Sequence, residues 1–270
     1  MTPNPAANQE AQPQNRRRWL ILANVSVGTF MATLDSSIVN VALPTMSVKL
    51  QADLSTLQWV VTAYLLTISS LLPVFGRVAD LFGRKRVYSL GFIVFTLGSV
   101  LSGIALNIWF LVGMRALQAV GAAMLMSNSA AIITASFPPQ ERGRALGLTG
   151  TVVALGSLTG PAIGGILVGL TSWRAIFYIN LPIGIIGYIA AQAILPKDPK
   201  QSKSESFDFV GAFLFALGMT SLLLALNHGQ DWGWSSLPVS GGLILGIGEL
   251  RCKYNKRRPW LSFKGTALVF

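Results

Sequence analysis

The sequence predicts an all-α integral membrane protein: a bundle of six spanning helices followed by two further hydrophobic segments. Three observations carry that expectation. Hydrophobic residues make up 52% of the 270 residues and charged residues only 11%, against about 25% charged in a soluble domain. The apolar residues lie in long blocks between short charged clusters rather than at amphipathic spacing, and the mean hydropathy is +0.56. The basic residues are also partitioned by side. If the N-terminus is cytoplasmic, all of the 21 lysines and arginines except Lys49, Arg115 and Arg174 fall on cytoplasmic segments.

In chain order, Met1–Asn15 is polar, rich in Pro, Asn, Gln and Ala, and has no apolar stretch before the arginines. Residues 1–18 therefore read as a disordered cytoplasmic tail, and the first span as an uncleaved signal anchor. Spans are expected at Trp19–Leu43, Leu57–Phe75, Val87–Leu106, Trp109–Ala135, Ala145–Leu170 and Ala175–Leu195, forming a bundle over 19–195. Connections such as Asn107 with Ile108, or Ser172 through Arg174, leave no room for a domain between helices. Such hairpins imply two nested three-helix repeats. Pro196–Asp208 reads as a charged cytoplasmic linker. Two extra segments follow within 209–250, Phe209–Leu226 and Leu237–Leu250, with Trp232 and Trp234 between them suited to an outer interface. Leu237–Leu250 has only 14 residues, below the roughly 17 that cross a bilayer. Letting it cross nevertheless keeps the basic residues of the atypical tail 251–270 inside.

The net charge of +11 is thus a topology signal, and no nucleic-acid partner is expected. One cysteine, Cys252, cannot form an intrachain disulfide, and with His228 it is too little for a metal site. The chain carries no G-x-G-x-x-G, Walker A loop, H-E-x-x-H or G-x-S-x-G. No cofactor, metal or enzymatic activity is expected.

Asp35 is the one carboxylate placed well inside a span. It lies 16 residues beyond Trp19, about 24 Å along a helix, in the outer third of a core about 30 Å thick. An ionised Asp there costs on the order of 3 kcal/mol. It is therefore either permanently paired between helices, or it faces water or is protonated for part of a cycle. An amide at this position is cheaper in the membrane, so Asp35→Asn is expected to fold and insert. Arg115 is the one basic residue within a span, six residues past Trp109 and about 9 Å deep. The two charges lie at similar depths on helices that start the two repeats. A cation beside Asp35 favours the carboxylate and desolvation favours the neutral acid, an opposition suited to a group that changes charge.

In helix five, Gly156, Gly160 and Gly164 recur at four-residue steps, with Pro161, Gly165 and Gly169 beside them. Such a face lets another helix approach closely, and the proline permits a kink, so the run reads as packing or as a pivot. In the loop Gly76–Arg86 (GRVADLFGRKR), Gly76 and Gly83 are expected to end a helix and allow a tight turn. Asp80 there can bond local N–H groups or pair with Arg84 or Arg77.

These blocks resemble the major facilitator superfamily, and specifically its 14-span drug:proton antiporters of the EmrB/QacA type. The resemblance rests on Leu34–Pro44 (LDSSIVNVALP), the Gly76–Arg86 loop, and Arg115, Gln118, Gly121, Ala122 and Ala123 in helix four. It rests also on Gly156, Gly160, Pro161, Gly164 and Gly165, and on Trp173–Gly184 (WRAIFYINLPIG). It covers Trp19 to Gly248. It departs at Ala119, Val78, Leu81 and Ser37, where the family pattern has other residues. The resemblance implies that Asp35 exchanges protons and meets cationic substrates, with Arg115 assisting. It implies a cytoplasmic gate latch from Gly76, Asp80, Gly83 and Arg84, and an inter-domain pivot at the helix-five glycines. The implied partners are a small-molecule substrate, protons and the lipid bilayer, in a bacterial plasma membrane.

The family also has a second six-helix bundle, and this chain stops before it. The chain is therefore expected to be an N-terminal portion, from a truncated or frameshifted reading frame, that self-associates or pairs with a C-terminal half and does not transport alone. The alternatives are an assembly partner or dominant-negative fragment of a full-length relative, and an exporter of a metabolite such as an amino acid, sugar or siderophore. The charge partition makes one direct prediction. Cysteines placed at Lys85 and Lys200 should react only from the cytoplasmic side and one at Lys49 only from outside, and external labelling at Lys85 would overturn the topology.

Overall fold

The computed structural model describes residues 5–196, 198, 209–237, 239–244 and 246. Five helices run unbroken: α1 (Pro5–Leu50), α2 (Leu54–Phe82), α3 (Arg84–Gly103), α4 (Ile108–Ser136) and α5 (Pro139–Leu170). The sixth span comes in two pieces, α6 (Ala175–Tyr178) and α7 (Asn180–Ile194), and α8 (Phe209–Trp232) follows. Local chemistry sets the breaks. Asp53 caps α2, accepting from Thr56 N at 3.3 Å and from the hydroxyls of Ser55 and Thr56. Those hydroxyl bonds, Ser55 first, hold its pKa down at about 2. Asn107 caps α4 through Phe110 N at 2.8 Å. Pro139 opens α5, where a missing N–H leaves no bond unmade. Gly83 turns the chain from α2 into α3 in one residue at φ 104°, a conformation that favours glycine.

Among the described residues six helices are long and apolar enough to cross a membrane: Arg16–Leu50, Ser55–Phe82, Arg84–Gly103, Ile108–Ser136, Pro139–Leu170 and Ala175–Ile194. They match the six expected spans of the bundle. Three expectations need correction or lie out of reach. Residues 5–18, expected as an irregular tail, are helical and continue α1. Ala, Gln and Arg there favour helix and Pro5 stands in the first turn, where proline is tolerated, although Pro13 lies inside the helix and removes one backbone bond. Most of the linker 196–208 and all of the tail 251–270 lie outside the described residues. Of the two extra segments, α8 has an apolar stretch of only Gly211–Asn227, shorter than the six spans. The other is helical at 237, 239–244 and 246.

Within the bundle α3 packs on α4, α1 on α5, α2 on α4, and α7 on α3. The α3–α4 contact is backbone against backbone. A Cβ at Gly121 would stand 2.3 Å from Phe95 N, and one at Gly98 2.6 Å from Gln118 Cα. Gly156, Gly160 and Gly164 are buried against Thr33, Ser37 and Ile38 of α1, and Ser37 Oγ donates to Gly156 O at 3.1 Å. Pro161 and Gly165 stay exposed on the other side of α5.

Besides a small apolar cluster of Ala79, Val87 and Met124, two larger ones fill the interior. One holds Met31, Tyr64, Phe92, Phe95 and Phe137, and the other holds Ile38, Met46, Leu57, Trp173 and Phe177. The first reaches the end of the bundle where the basic residues gather. There Arg17 Nε donates to Ile194 O at 3.2 Å, Arg18 pairs with Glu141 at 3.1 Å, and Arg144 lies over the Trp19 ring. The arginines of α1 thereby tie its entry to α5 and α7.

Overpacking a tight contact costs about 1–3 kcal/mol. Gly121→Ala should therefore lower the unfolding midpoint in detergent clearly, because the α3 backbone has no rotamer with which to yield. Gly165→Ala, which meets open space, should leave it unchanged or raise it slightly. Equal effects of the two would contradict the packing described.

Candidate functional site

Between the two apolar clusters lies a layer of polar side chains, one or two from each of several helices. Asp35 from α1 is 1% exposed, and Arg115 and Gln118 from α4 and Asn180 from α7 are fully enclosed. Arg115 Nη1 donates to Asp35 Oδ2 and, at 2.8 Å, to Gln118 Oε1. Asp35 Oδ1 accepts from Gln118 Nε2 at 2.8 Å and from Asn180 Nδ2 at 2.9 Å. Asn180 Nδ2 also donates to Ser99 Oγ of α3 at 3.0 Å, and Ser99 Oγ donates to Phe177 O at 2.8 Å. On the other side of the guanidinium, Arg115 Nε donates to Val60 O of α2 at 3.4 Å, and the Tyr64 ring lies 4.1 Å beneath it. The Tyr64 hydroxyl donates to Ala32 O at 3.0 Å.

The sequence placed Asp35 and Arg115 at similar depths, and the structure brings them into contact. That contact corrects one expectation. Asp35→Asn removes the counterion of a buried guanidinium, and breaking a buried pair from one side costs about 3–5 kcal/mol. The gain from a neutral side chain at position 35 does not stand alone. The enclosure also bears on the expectation that Asp35 meets substrate: in this structure its carboxylate touches protein groups on every side.

A second set lies at the basic end. Arg84 donates through Nε and Nη2 to Asp80 Oδ1 at 3.1 and 2.9 Å. Both side chains are nearly half exposed, so the pair contributes about 0–1 kcal/mol. Gly83 sits between them as the turn residue. Gly76 does not end a helix as expected: α2 continues past it to Phe82, and a Cβ there would meet nothing. Asp198, from the linker, caps α3. Its Oδ1 accepts from Lys85 N at 2.9 Å and its Oδ2 from Arg86 N at 3.3 Å. A Cβ on Gly83 would stand 2.3 Å from that carboxylate. Lys85 Nζ completes the lock on the C-terminal carbonyls of α7, Gln192 O at 2.7 Å and Leu195 O at 3.0 Å. Asp80, Arg84, Lys85, Ile132 and Asp198 line a cleft of about 400 Å³.

Four members of these sites were not singled out from sequence, Ser99 among them. Asn180 is a polar residue inside an apolar run, a signal that could have marked it. Tyr64 looks like any span tyrosine, and Asp198 like any linker charge.

Six candidate spans with a buried ion pair between them define a polytopic helical membrane protein. The chain belongs to the Major Facilitator Superfamily, whose family model matches residues 25–269. It is 42% identical over 213 residues to the riboflavin transporter RibZ of Clostridioides difficile, covering 79% of this chain and 47% of that protein. It is 37% identical over 235 residues to the multidrug transporter protein MdtP of Bacillus subtilis, covering 86% and 42%. The fold is similar to a bacterial homologue of the human lysosomal transporter Spinster, with a TM-score of 0.61 at 18% identity over 94% of this chain and 64% of that one. The chain thus spans less than half the length of the two curated relatives, and its family is one of transporters rather than enzymes.

The Asp198 cap has a measurable consequence. Loss of a helix cap costs about 1 kcal/mol, or roughly fivefold in a local opening equilibrium. In Asp198→Ala the amides of Lys85 and Arg86 should exchange with deuterium about fivefold faster, with α5 amides unaffected. Unchanged exchange at Lys85 would contradict the cap.

Proposed function

We propose that this chain is the N-terminal bundle of a proton-coupled efflux transporter for small hydrophobic or cationic compounds, with Asp35 as the group that binds and releases the proton. The observation that carries the reading is the Asp35–Arg115 contact, a carboxylate enclosed deep in a span against a permanent cation. Intramembrane ionisable pairs mark proton and ion pathways. The multidrug name of the relative MdtP supports the substrate class.

Substrate and proton occupy different places in this account. A groove of about 240 Å³ between α1, α4 and α5 is lined by Thr29, Met126, Ser129, Ile133, Leu146 and Thr149, hydroxyls and apolar groups without a charge. It suits an apolar molecule with a few polar atoms. Asp35 lies inside the bundle and acts on substrate through the packing of α1 and α4.

Alternating access needs two bundles, so we assign transport to this bundle together with a matching second one. In that assembly the basic end faces the cytoplasm, by the positive-inside rule. The Gly83–Asp80–Arg84 turn serves as the latch, and the exposed Pro161 and Gly165 side of α5 as the surface of the pivot. α8 and the segment after it would be the two extra spans of a 14-span protein. A metabolite carrier is the second reading, favoured by the identity to a riboflavin transporter. The same proton chemistry would serve both.

The test uses the chain joined to the second bundle of a close relative, purified and offered tetraphenylphosphonium or riboflavin. Wild type should release protons when one of them binds, and which one does so separates the two readings. Asp35→Asn should bring both release and pH-driven efflux to background, while Asp35→Glu, which keeps a counterion for Arg115, should retain part of each. Undiminished proton release from folded Asp35→Asn would show Asp35 to be structural.

A further inference from the structure

Two polar atoms of the buried layer have no hydrogen-bond partner among the described residues, Arg115 Nη2 and Asn180 Oδ1. The second matters for what happens when Asp35 takes up a proton. With Asp35 ionised, every group that bonds its carboxylate is a donor: Arg115 toward Oδ2, Gln118 and Asn180 toward Oδ1. The amide orientation of Asn180 follows, since its oxygen turned toward a carboxylate would be repelled. A proton arriving on either oxygen turns an acceptor into a donor that needs an acceptor of its own.

On Oδ2 the new O–H would face Arg115, which has donors alone. On Oδ1 it would face two primary amides, each able to bring its oxygen round by inverting about its last torsion. Gln118 is held against inversion, because its Oε1 accepts from Arg115 Nη1 at 2.8 Å and inversion would set two donors against each other. Asn180 is not held against inversion by any bond to its Oδ1, and the cost of turning is that Nδ2 takes the place where Oδ1 now stands without a partner. Its Oδ1 accepts nothing, and the second partner of its Nδ2 is the Ser99 hydroxyl, which donates as readily as it accepts.

We infer that Asn180 is a positioning residue that registers the charge of Asp35, donating through Nδ2 to the carboxylate and inverting to accept through Oδ1 from the neutral acid. The inference rests on the proton-binding role proposed for Asp35 and adds what the protein does with that proton. The Asp35 O–H is the one covalent bond made, and deprotonation breaks the same bond. Inversion invites the Ser99 hydroxyl to leave Phe177 O, 2.8 Å away, for Asn180 Oδ1. That withdraws a bond from α6 beside Ile179, the residue between α6 and α7. Protonation is thereby transmitted to the interruption in the sixth span. The other groups facing Asp35 do not compete for this task. Arg115 comes from α4 and Tyr64 from α2, its hydroxyl engaged with Ala32 O. α5 meets this part of α1 through Gly156 and Gly160.

The test is infrared difference spectroscopy between alkaline and acidic pH on the 270-residue chain in lipid nanodiscs. Samples carry ¹³C on the side-chain carbonyls of Asp, Asn or Gln in turn. Acidification should raise a protonated-carboxyl band that Asp35→Asn removes, together with a shift of one asparagine C=O band to lower frequency that Asn180→Leu removes. In Asn180→Leu the Asp35 carboxyl band should move to higher frequency, its O–H having lost its acceptor. If Asn180→Leu fails to fold, the labelled wild-type spectra decide the matter. If Asp35→Asn fails, Asp35→Glu, which keeps a counterion for Arg115 and takes the band out of the Asp-labelled set, identifies it. A carboxyl band from Asp35 with no asparagine shift, or with a glutamine shift in its place, overturns the role of Asn180 and leaves the proton role of Asp35 standing. Acidification that raises no band sensitive to Asp35→Asn overturns both.

Discussion

A guanidinium and a carboxylate held in contact within the membrane thickness set the terms for the rest of the bundle. Each ion gives up several kcal/mol of hydration on burial, and the attraction between them offsets this only if the remaining lone pairs and protons are also met. The layer around Asp35 and Arg115 supplies those partners from several directions. An amide comes from α4 and another from α7, a carbonyl and a ring face from α2, and a relaying hydroxyl from α3. Five elements must therefore stand in register for one pair to be stable. The apolar clusters above and below exclude water and so raise the stakes of that register.

Glycine makes the register attainable. Gly98 lies directly on the backbone of Gln118, so α3 and α4 approach without intervening side chains at the level of the polar layer. Gly156 and Gly160 do the same for α5 against Thr33 and Ser37, the residues that bracket Asp35 on α1. Gly184 sits on Thr96 and draws α7 toward α3, near Asn180. The small residues and the charged ones thus belong to one arrangement. At the basic end the logic is the reverse: half-exposed charges contribute little pairwise, and the turn is held instead by backbone bonds to Asp198 and Lys85.

Much of this was legible in the sequence, for physical reasons that differ by element. Apolar blocks and sided basic clusters mark spans because hydrocarbon tolerates no unpaired backbone or casual charge. Asp35 and Arg115 stood out because such charges are rare within spans. Their mutual contact was foreshadowed by similar depth, and the glycine steps by their spacing. Tyr64 was hidden because a phenol enters a span at little cost, whereas Asn180, a polar residue inside an apolar run, carried a signal that was read only as part of the Trp173–Gly184 block. Asp198 was hidden because a cap is defined by the helix end it reaches, here more than a hundred residues away in sequence. Gly76 misled because a glycine-rich loop motif suggests two turns, whereas only Gly83 carries the left-handed conformation. The helical continuation of α1 back to Pro5 was obscured by a polar composition that also suits disorder.

The most direct measure of the central claim is a double-mutant cycle on the stability of the chain in detergent, using Asp35→Asn and Arg115→Gln. If the buried pair organises the bundle, each single substitution strands a partner and the double relieves it. The losses should then fall short of additivity by about 1 kcal/mol or more. Additive losses would mean that the two charges stand side by side without depending on one another, and would contradict the account.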